Sequence, residues 1–128
     1  MSSKTLADIM TRQIAEVASD TPLGEAAERM ERANSEVLLV IDNTEPIGFF
    51  TENNLLLSLQ RGLAPQTPLK DLLVTPFVKA AQSLDYRAGH RLMTKANVDH
   101  LLVVDTNGRP AGIVSGSKFQ QHLSADFL

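Results

Sequence analysis

Val37-Leu38-Leu39-Val40-Ile41-Asp42, then Pro46-Ile47-Gly48-Phe49-Phe50-Thr51 and Asn54-Leu55, is a stretch that the chain writes twice. Its second form is His100-Leu101-Leu102-Val103-Val104-Asp105, then Pro110-Ala111-Gly112-Ile113-Val114-Ser115 and Lys118-Phe119. Each is an apolar strand, a polar turn, a second apolar strand behind a Gly, and a hydroxyl residue that opens a helix. Five apolar residues in a row, rich in β-branched types, are too short for a helix and read as a strand buried on both faces.

Sliding the sequence against itself by 63 residues aligns Leu6/Leu69, Asp8/Asp71, Ala18/Ala81, Met30/Met93, Ala33/Ala96, Asn34/Asn97, Leu38/Leu101, Leu39/Leu102, Val40/Val103 and Asp42/Asp105. One extra residue in the second turn then brings Pro46/Pro110, Gly48/Gly112 and Leu59/Leu123 into line. Matches that keep one order, with a single gap placed in a turn, are a tandem repeat. The boundary falls near Gly62 to Thr67, ahead of and within a Pro-marked linker, Ala64-Pro65-Gln66-Thr67-Pro68.

Within each copy the elements alternate. In the first, a short helical entry at Leu6–Met10 precedes a strand at Ile14–Val17. Thr21-Pro22 is expected to open a helix, with the Thr hydroxyl as cap and Pro at the first helical position. Leu23, Ala26, Ala27, Met30 and Ala33 share one helical face, and Asn34 supplies a left-handed stop. The strands at 37–41 and 47–50 follow, and Thr51 caps a helix that ends at Gly62. The second copy repeats the plan with a strand at Phe77–Ala80, a helix bearing Tyr86, Gly89, His90, Met93 and Ala96, and strands at His100–Val104 and Ala111–Val114. Asn107-Gly108 marks its hairpin, because both residues tolerate positive φ. About 60 residues with few aromatics make a thin core, so two β-α-β-β-α copies packed sheet to sheet around a pseudo-twofold are expected, and a pair of pairs if the helix faces stay apolar.

The totals narrow the function. The 128 residues are 43% hydrophobic, 21% charged and 5% aromatic, which is globular rather than disordered. A net charge of −3 argues against a module built to grip a nucleic-acid backbone. The chain has no Cys, so disulfides, thiolate metal sites and a Cys nucleophile are excluded. No apolar run approaches the roughly 20 residues of a membrane span, and no signal peptide opens the chain, so a cytoplasmic protein with no membrane partner is expected. The chain stops soon after its last element and is readable as a piece of a longer protein.

The pattern resembles the tandem cystathionine-β-synthase (CBS) domain pair, or Bateman module, and does so over nearly the whole chain. The matching pieces are Leu6-Ala7-Asp8-Ile9-Met10-Thr11, Asp20-Thr21-Pro22-Leu23, His100-Leu101-Leu102-Val103-Val104-Asp105, and the ends Gly48-Phe49-Phe50-Thr51 and Gly112-Ile113-Val114-Ser115. The resemblance implies an α+β or α/β fold of two repeats, residues 1–64 and 65–128, together one module. It also implies a regulatory rather than catalytic role, with an adenosine-containing ligand (AMP, ADP, ATP or S-adenosylmethionine) held in two clefts between the copies. No cofactor is required. A disc-like homodimer and a fused or separate effector that receives the signal belong to the same expectation.

The family's nucleotide motif is Gly, two apolar residues, Thr or Ser, two more residues, then Asp. A hydroxyl and free N–H groups at a helix start suit phosphate or ribose oxygens, and the Asp accepts from the ribose hydroxyls. The first copy offers Thr51 and has Asn54 in place of the Asp; Thr51 also reads as a plain helix cap and Asn54 as a solvated first-turn residue. An Asn oxygen can accept one ribose hydrogen bond. The second copy offers Ser115 and has Lys118, which has no acceptor but can pair with a phosphate; it also reads as a solvated surface Lys. The resemblance adds Arg12 to Ile14 and Thr75 to Phe77, near the first strand of each copy, where Arg12 is a candidate for phosphate and Ile14 and Phe77 for the base. A ligand-free dimerisation scaffold with decayed clefts is the alternative that Asn54 and Lys118 favour.

Other constellations fall away. Lys118 follows Ser117 in the reverse of the order a phosphate-binding P-loop needs. His90, His100 and His122 have no metal-ligand spacing; His90 reads as a core or interface residue and His100 as a structural one. Asp42 and Asp105 sit at strand ends, where Asp bonds its own turn. No nucleophile-elbow or catalytic-triad order is present, so the chain reads as no enzyme.

Overall fold

The computed structural model describes residues 4–73 and 76–126. In chain order the elements are α1 (Leu6–Ile9), β1 (Glu16–Ala18), α2 (Leu23–Ala33), β2 (Val37–Asp42), β3 (Glu45–Thr51), α3 (Glu52–Gln60), a 3-10 turn (Leu69–Leu72), β4 (Lys79–Ala81), α4 (Tyr86–Ala96), β5 (His100–Val104), β6 (Pro110–Ser115) and α5 (Gly116–Asp126). They form two compact units. The central unit is Ile14–Thr75; the split unit takes the chain up to Gln13 and again from Pro76. The partition is therefore offset from the sequence repeat by the short segment that opens each copy.

Each unit has a three-stranded sheet, β1-β2-β3 or β4-β5-β6, with the first pair parallel and the second antiparallel. The registers correspond. Val17 faces Val40 and Leu38 faces Phe50 in one, as Ala80 faces Val103 and Leu101 faces Val114 in the other. The ladder slips at the same place in both, between Val40 and Ile41 and between Val103 and Val104. Residues 38–40 and 101–103 are all fully buried, so the middle strands are covered on both faces as their unbroken apolar runs require.

The cores correspond as well. Val17, Leu23, Ala26, Met30, Leu38, Val40, Phe50 and Leu69 pack together in the central unit, with Leu55 against them. In the split unit the same places hold Ala80, Tyr86, Gly89, Met93, Leu101, Val103, Val114 and Leu6, with Phe119 in the place of Leu55. The large ring sits on β3 in one core and on the last helix in the other. Gly89 follows from that exchange: a Cβ there would stand 2.7 Å from Leu6 Cδ2 and 3.3 Å from Phe119 Cζ. A mid-helix Gly costs about 1 kcal/mol against Ala, and here it makes room for both side chains.

Leu6 and Leu69, equivalent in sequence, are both fully buried, each in the unit that does not contain the rest of its own repeat. The Pro-marked linker is part of this arrangement. Thr67 and Pro65 carbonyls accept from the Leu23 and Gly24 N–H groups at 2.8 and 2.9 Å, which satisfies the start of α2. Lys4 carbonyl does the same for Tyr86 N–H at 3.0 Å.

Three expectations are corrected. Pro22, not Thr21, is the N-cap of α2 and no side chain caps it; Thr21 is buried and its carbonyl accepts from Leu69 N–H at 3.0 Å. β1 and β4 begin two residues beyond the expected 14 and 77: their ladders open at Glu16 against Leu39 and at Lys79 against Leu102. Asn107-Gly108 does lie in the turn of the β5–β6 hairpin, with Gly108 at positive φ, and the shorter first hairpin turns through Asn43 and Thr44, both left-handed. Asp105 does bond its own turn, accepting from the Asn107 and Arg109 N–H groups; Asp42 instead accepts the Ser19 hydroxyl at 2.6 Å. Asn34 and Asn97 end α2 and α4 in the left-handed conformation, as the Asn34 reading requires.

Candidate functional site: two strand-to-helix corners

In each unit the last strand runs straight into a helix, β3 into α3 and β6 into α5, with a hydroxyl residue at the junction. In the central unit the corner is closed by a capping box. Thr51 N–H and the Thr51 hydroxyl both donate to Asn54 Oδ1 at 2.9 Å, and Asn54 N–H donates back to Thr51 Oγ1 at 3.2 Å. Both readings of Thr51 thus meet in one side chain, which is the cap. Asn54 is not a solvated bystander. Two donors fill the lone pairs of its carbonyl oxygen, so the end that remains presents NH₂ donors. An Asp here would hold the same box with one oxygen and keep the other free to accept.

The corner's glycine is structural too. A Cβ on Gly48 would meet Leu73 Cδ1 at 3.3 Å; on Gly112 it would meet Met10 Sδ at 2.6 Å and the Thr11 carbonyl oxygen at 2.9 Å. Thr11 forms an isolated antiparallel bridge with Ile113, each donating its N–H to the other's carbonyl at 2.9 Å. The segment that opens the chain therefore lies on β6 where a side chain at 112 would stand.

The split unit's corner is open and basic. Ser115 and Ser117 hydroxyls lie 3.1 Å apart, and Gly116 N–H donates to Asp99 carbonyl at 2.9 Å. No acidic residue stands in the first turn of α5; Lys118 occupies the third position. An ammonium there opposes the positive end of the helix dipole. One turn on, at His122, burial and then the charges of Lys4 and Lys118 hold the imidazole pKa below its ordinary value. Lys4 Nζ lies 3.1 Å from His122 Nδ1.

The remaining candidates divide between the units. Ile14 belongs to the central unit, half-buried just ahead of β1. Arg12 and Phe77 belong to the split unit, and Thr75 lies outside the described residues. The Thr11–Ile113 bridge directs the Arg12 backbone toward Gly112, roughly 10 Å along the strand from Ser115 at about 3.3 Å per residue. Arg12 is exposed; Phe77 is half-buried with Lys79 Nζ 5.5 Å from its ring centroid. His90 packs on Phe119 at 5.6 Å between centroids, in keeping with a core role. Among the described residues no cluster of His, Asp and Glu can hold a metal ion, and no helix is long and apolar enough to cross a membrane. Sequence reading missed Lys4, Tyr86 and His122 as neighbours, since no local pattern joins residues 118 positions apart.

The CBS domain family model matches residues 6–61 and again residues 69–123. The uncharacterized protein MK0525 of Methanopyrus kandleri is 25% identical over 118 residues, covering 90% of this chain; the chain spans 60% of that protein's length. The CBS domain pair of protein MJ0100, in complex with 5′-methylthioadenosine and S-adenosyl-L-methionine, superposes with a TM-score of 0.83 at 18% identity, over 98% of this chain and 99% of that one. The CBS domain protein PAE2072 of Pyrobaculum aerophilum, complexed with AMP, gives 0.80 at 15% identity over 94% and 98%. At these identities the likeness carries the α+β fold with its two three-stranded sheets.

Proposed function

The chain belongs to the CBS domain family, and from that premise we propose that it is a non-catalytic regulatory module that binds an adenine nucleotide or related adenosyl ligand and reports its presence to an effector. The observation that carries this reading is the twice-built corner, Gly48 to Thr51 before α3 and Gly112 to Ser115 before α5, each with a hydroxyl at a helix start. Backbone N–H groups and a hydroxyl at such a start suit ribose or phosphate oxygens. AMP, 5′-methylthioadenosine and S-adenosyl-L-methionine in the solved pairs PAE2072 and MJ0100 set the ligand class to try first. A homodimer is part of the proposal: Leu56, Leu57 and Leu59 on α3 are 52%, 40% and 61% exposed, apolar side chains that a second copy would cover.

Thermal unfolding of the full chain with AMP, ADP, ATP, S-adenosylmethionine and 5′-methylthioadenosine tests the ligand. At a hundredfold excess over Kd, binding stabilises by about 2.7 kcal/mol. No shift with any of them refutes the reading. A second reading, a dimerisation scaffold without a ligand, is favoured by one observation: Asn54 Oδ1 is already filled by Thr51. Binding gained only in the Asn54→Asp, Lys118→Asp double variant selects the scaffold.

A further inference from the structure

The split unit gathers basic groups from three parts of the chain around Tyr86. Lys4 reaches His122 from the opening segment, and Lys118 stands one helical turn before His122 on α5. The His122 ring meets the Tyr86 ring edge-on, 6.3 Å between centroids at 67°. Arg87 lies over the same Tyr86 ring at 5.7 Å. Tyr86 is 2% exposed, and its hydroxyl is buried without a hydrogen-bond partner among the described residues.

Charge is not balanced there. Asp85 pairs with Arg87 at 3.5 Å and accepts from Arg87 N–H at 2.8 Å. Asp8 accepts from the Thr5 N–H and hydroxyl. Among the described residues no ion pair joins Lys4 or Lys118 to a carboxylate. In a chain of net charge −3, two ammonium groups and an imidazole sharing one face is a local excess of positive charge. The start of α5 adds the Ser115 and Ser117 hydroxyls as further donors.

We propose that Lys4, Lys118 and His122 form a binding site for a phosphate-bearing small molecule, whose dianionic group bridges the two ammonium groups and the imidazolium. Phosphate suits the set better than carboxylate. It brings close to two charges and three acceptor oxygens at neutral pH, against one charge and two oxygens. The inference uses the ligand's charge and not its base or ribose, and shares only Lys118 with the adenosine reading. It also gives His122 a direction: the neutral ring accepts from the Lys4 ammonium at Nδ1. When a dianion arrives the ring takes up a proton there while Lys4 turns its N–H groups to the phosphate.

The probe is inorganic phosphate on the full chain, with the three His residues followed by NMR through a pH titration. Sodium chloride at matched ionic strength is the control. If the imidazolium form binds phosphate about tenfold more tightly than the neutral form, the His122 pKa rises by about one unit at saturation. His90 and His100 stay where they were. Lys4→Gln and Lys118→Gln each weaken phosphate binding about tenfold or more, with circular dichroism confirming the fold. A His122 titration unmoved by phosphate, or moved equally by chloride, overturns the proposal, as does unchanged affinity in both Lys variants. Adenosine, which has no phosphate, is expected to leave the His122 pKa alone. Failure of adenosine to bind would count against the nucleoside reading and leave this one standing.

Discussion

Gly112→Ala tests the packing of the opening segment on β6. The added methyl would stand 2.6 Å from Met10 Sδ and 2.9 Å from the Thr11 carbonyl oxygen. Met10 is a flexible side chain that can swing aside. The Thr11 carbonyl is backbone, and it accepts from Ile113 N–H in the bridge that holds the segment down. Overpacking of this kind costs about 1–3 kcal/mol, and loss of the two bridge hydrogen bonds adds about 0.5–1.5 kcal/mol each. Ala gains back about 0.5–1 kcal/mol over Gly in backbone entropy, leaving a net loss of about 3 kcal/mol. At Gly48, the equivalent position, the nearest atom is the end of the Leu73 side chain at 3.3 Å, so Gly48→Ala should stay within about 1 kcal/mol of the parent. Urea unfolding followed by tyrosine fluorescence reads the split unit directly, because Tyr86 is the chain's one Tyr and there is no Trp. Equal effects of the two substitutions, or a Gly112→Ala chain as stable as the parent, would refute the reasoning.

Asn54→Ala removes one side of the capping box and should cost about 1 kcal/mol in the urea midpoint of the central unit, read by circular dichroism. Lys118→Glu replaces a cation at the positive end of α5 with an anion that can form a capping box with Ser115; a gain of about 0.5–1 kcal/mol is expected in the same assay. His122 is held below its ordinary pKa when folded, so the unfolded chain binds the proton more readily. Its stabilising share is present above about pH 6.5 and is lost as pH falls toward the lowered folded value, so His122→Gln should flatten the stability profile across that window in phosphate-free buffer. Of two fragments of similar length, residues 14–75 keep Leu69 and the linker carbonyls that cap α2, whereas residues 1–64 lack Leu69 and the Thr67 and Pro65 carbonyls. The first should show the greater helicity by circular dichroism.

The order of elements was legible because it depends on local chemistry written twice. A period of 63 with one gap fixed the repeat, the β-branched runs fixed the strands, and Asn34 fixed a helix end whose φ of 48° an Asn tolerates. The start of α2 was misread for a non-local reason. Thr21-Pro22 has the residue types of a side-chain cap, but the carbonyls that satisfy Leu23 and Gly24 come from Thr67 and Pro65, some 40 residues on. The strand starts were misplaced because Ile14 and Phe77 are as apolar as strand residues, while the parallel ladders open only at Glu16 and Lys79. Thr51 was legible as a hydroxyl at a helix start, while the use of the Asn54 oxygen was not, since it depends on which end of the amide faces Thr51. Of the face around His122 only the Lys118–His122 spacing of four on one helix was legible, because Lys4 and Tyr86 join it from distant parts of the chain.

The corner motif has a folding role that stands apart from any ligand. Gly48 and Gly112 leave room for Leu73 and for Met10 with Thr11, segments equivalent in sequence that each lie on the unit completing the other repeat. Thr51 closes its helix with a cap. Selection for stability alone would keep these residues, so their presence says little about what binds. The third helical position is where the corners part. Asn54 spends its acceptor on Thr51 and offers donors, whereas Lys118 makes no ion pair among the described residues and stands one helical turn before His122, which Lys4 reaches. A ribose diol needs acceptors and a phosphate needs donors and positive charge. Both corners have moved away from the first requirement, and the split unit has moved furthest toward the second. The same fold, repeated, therefore presents two chemically different corners, and what distinguishes them favours the charge of a ligand over its sugar.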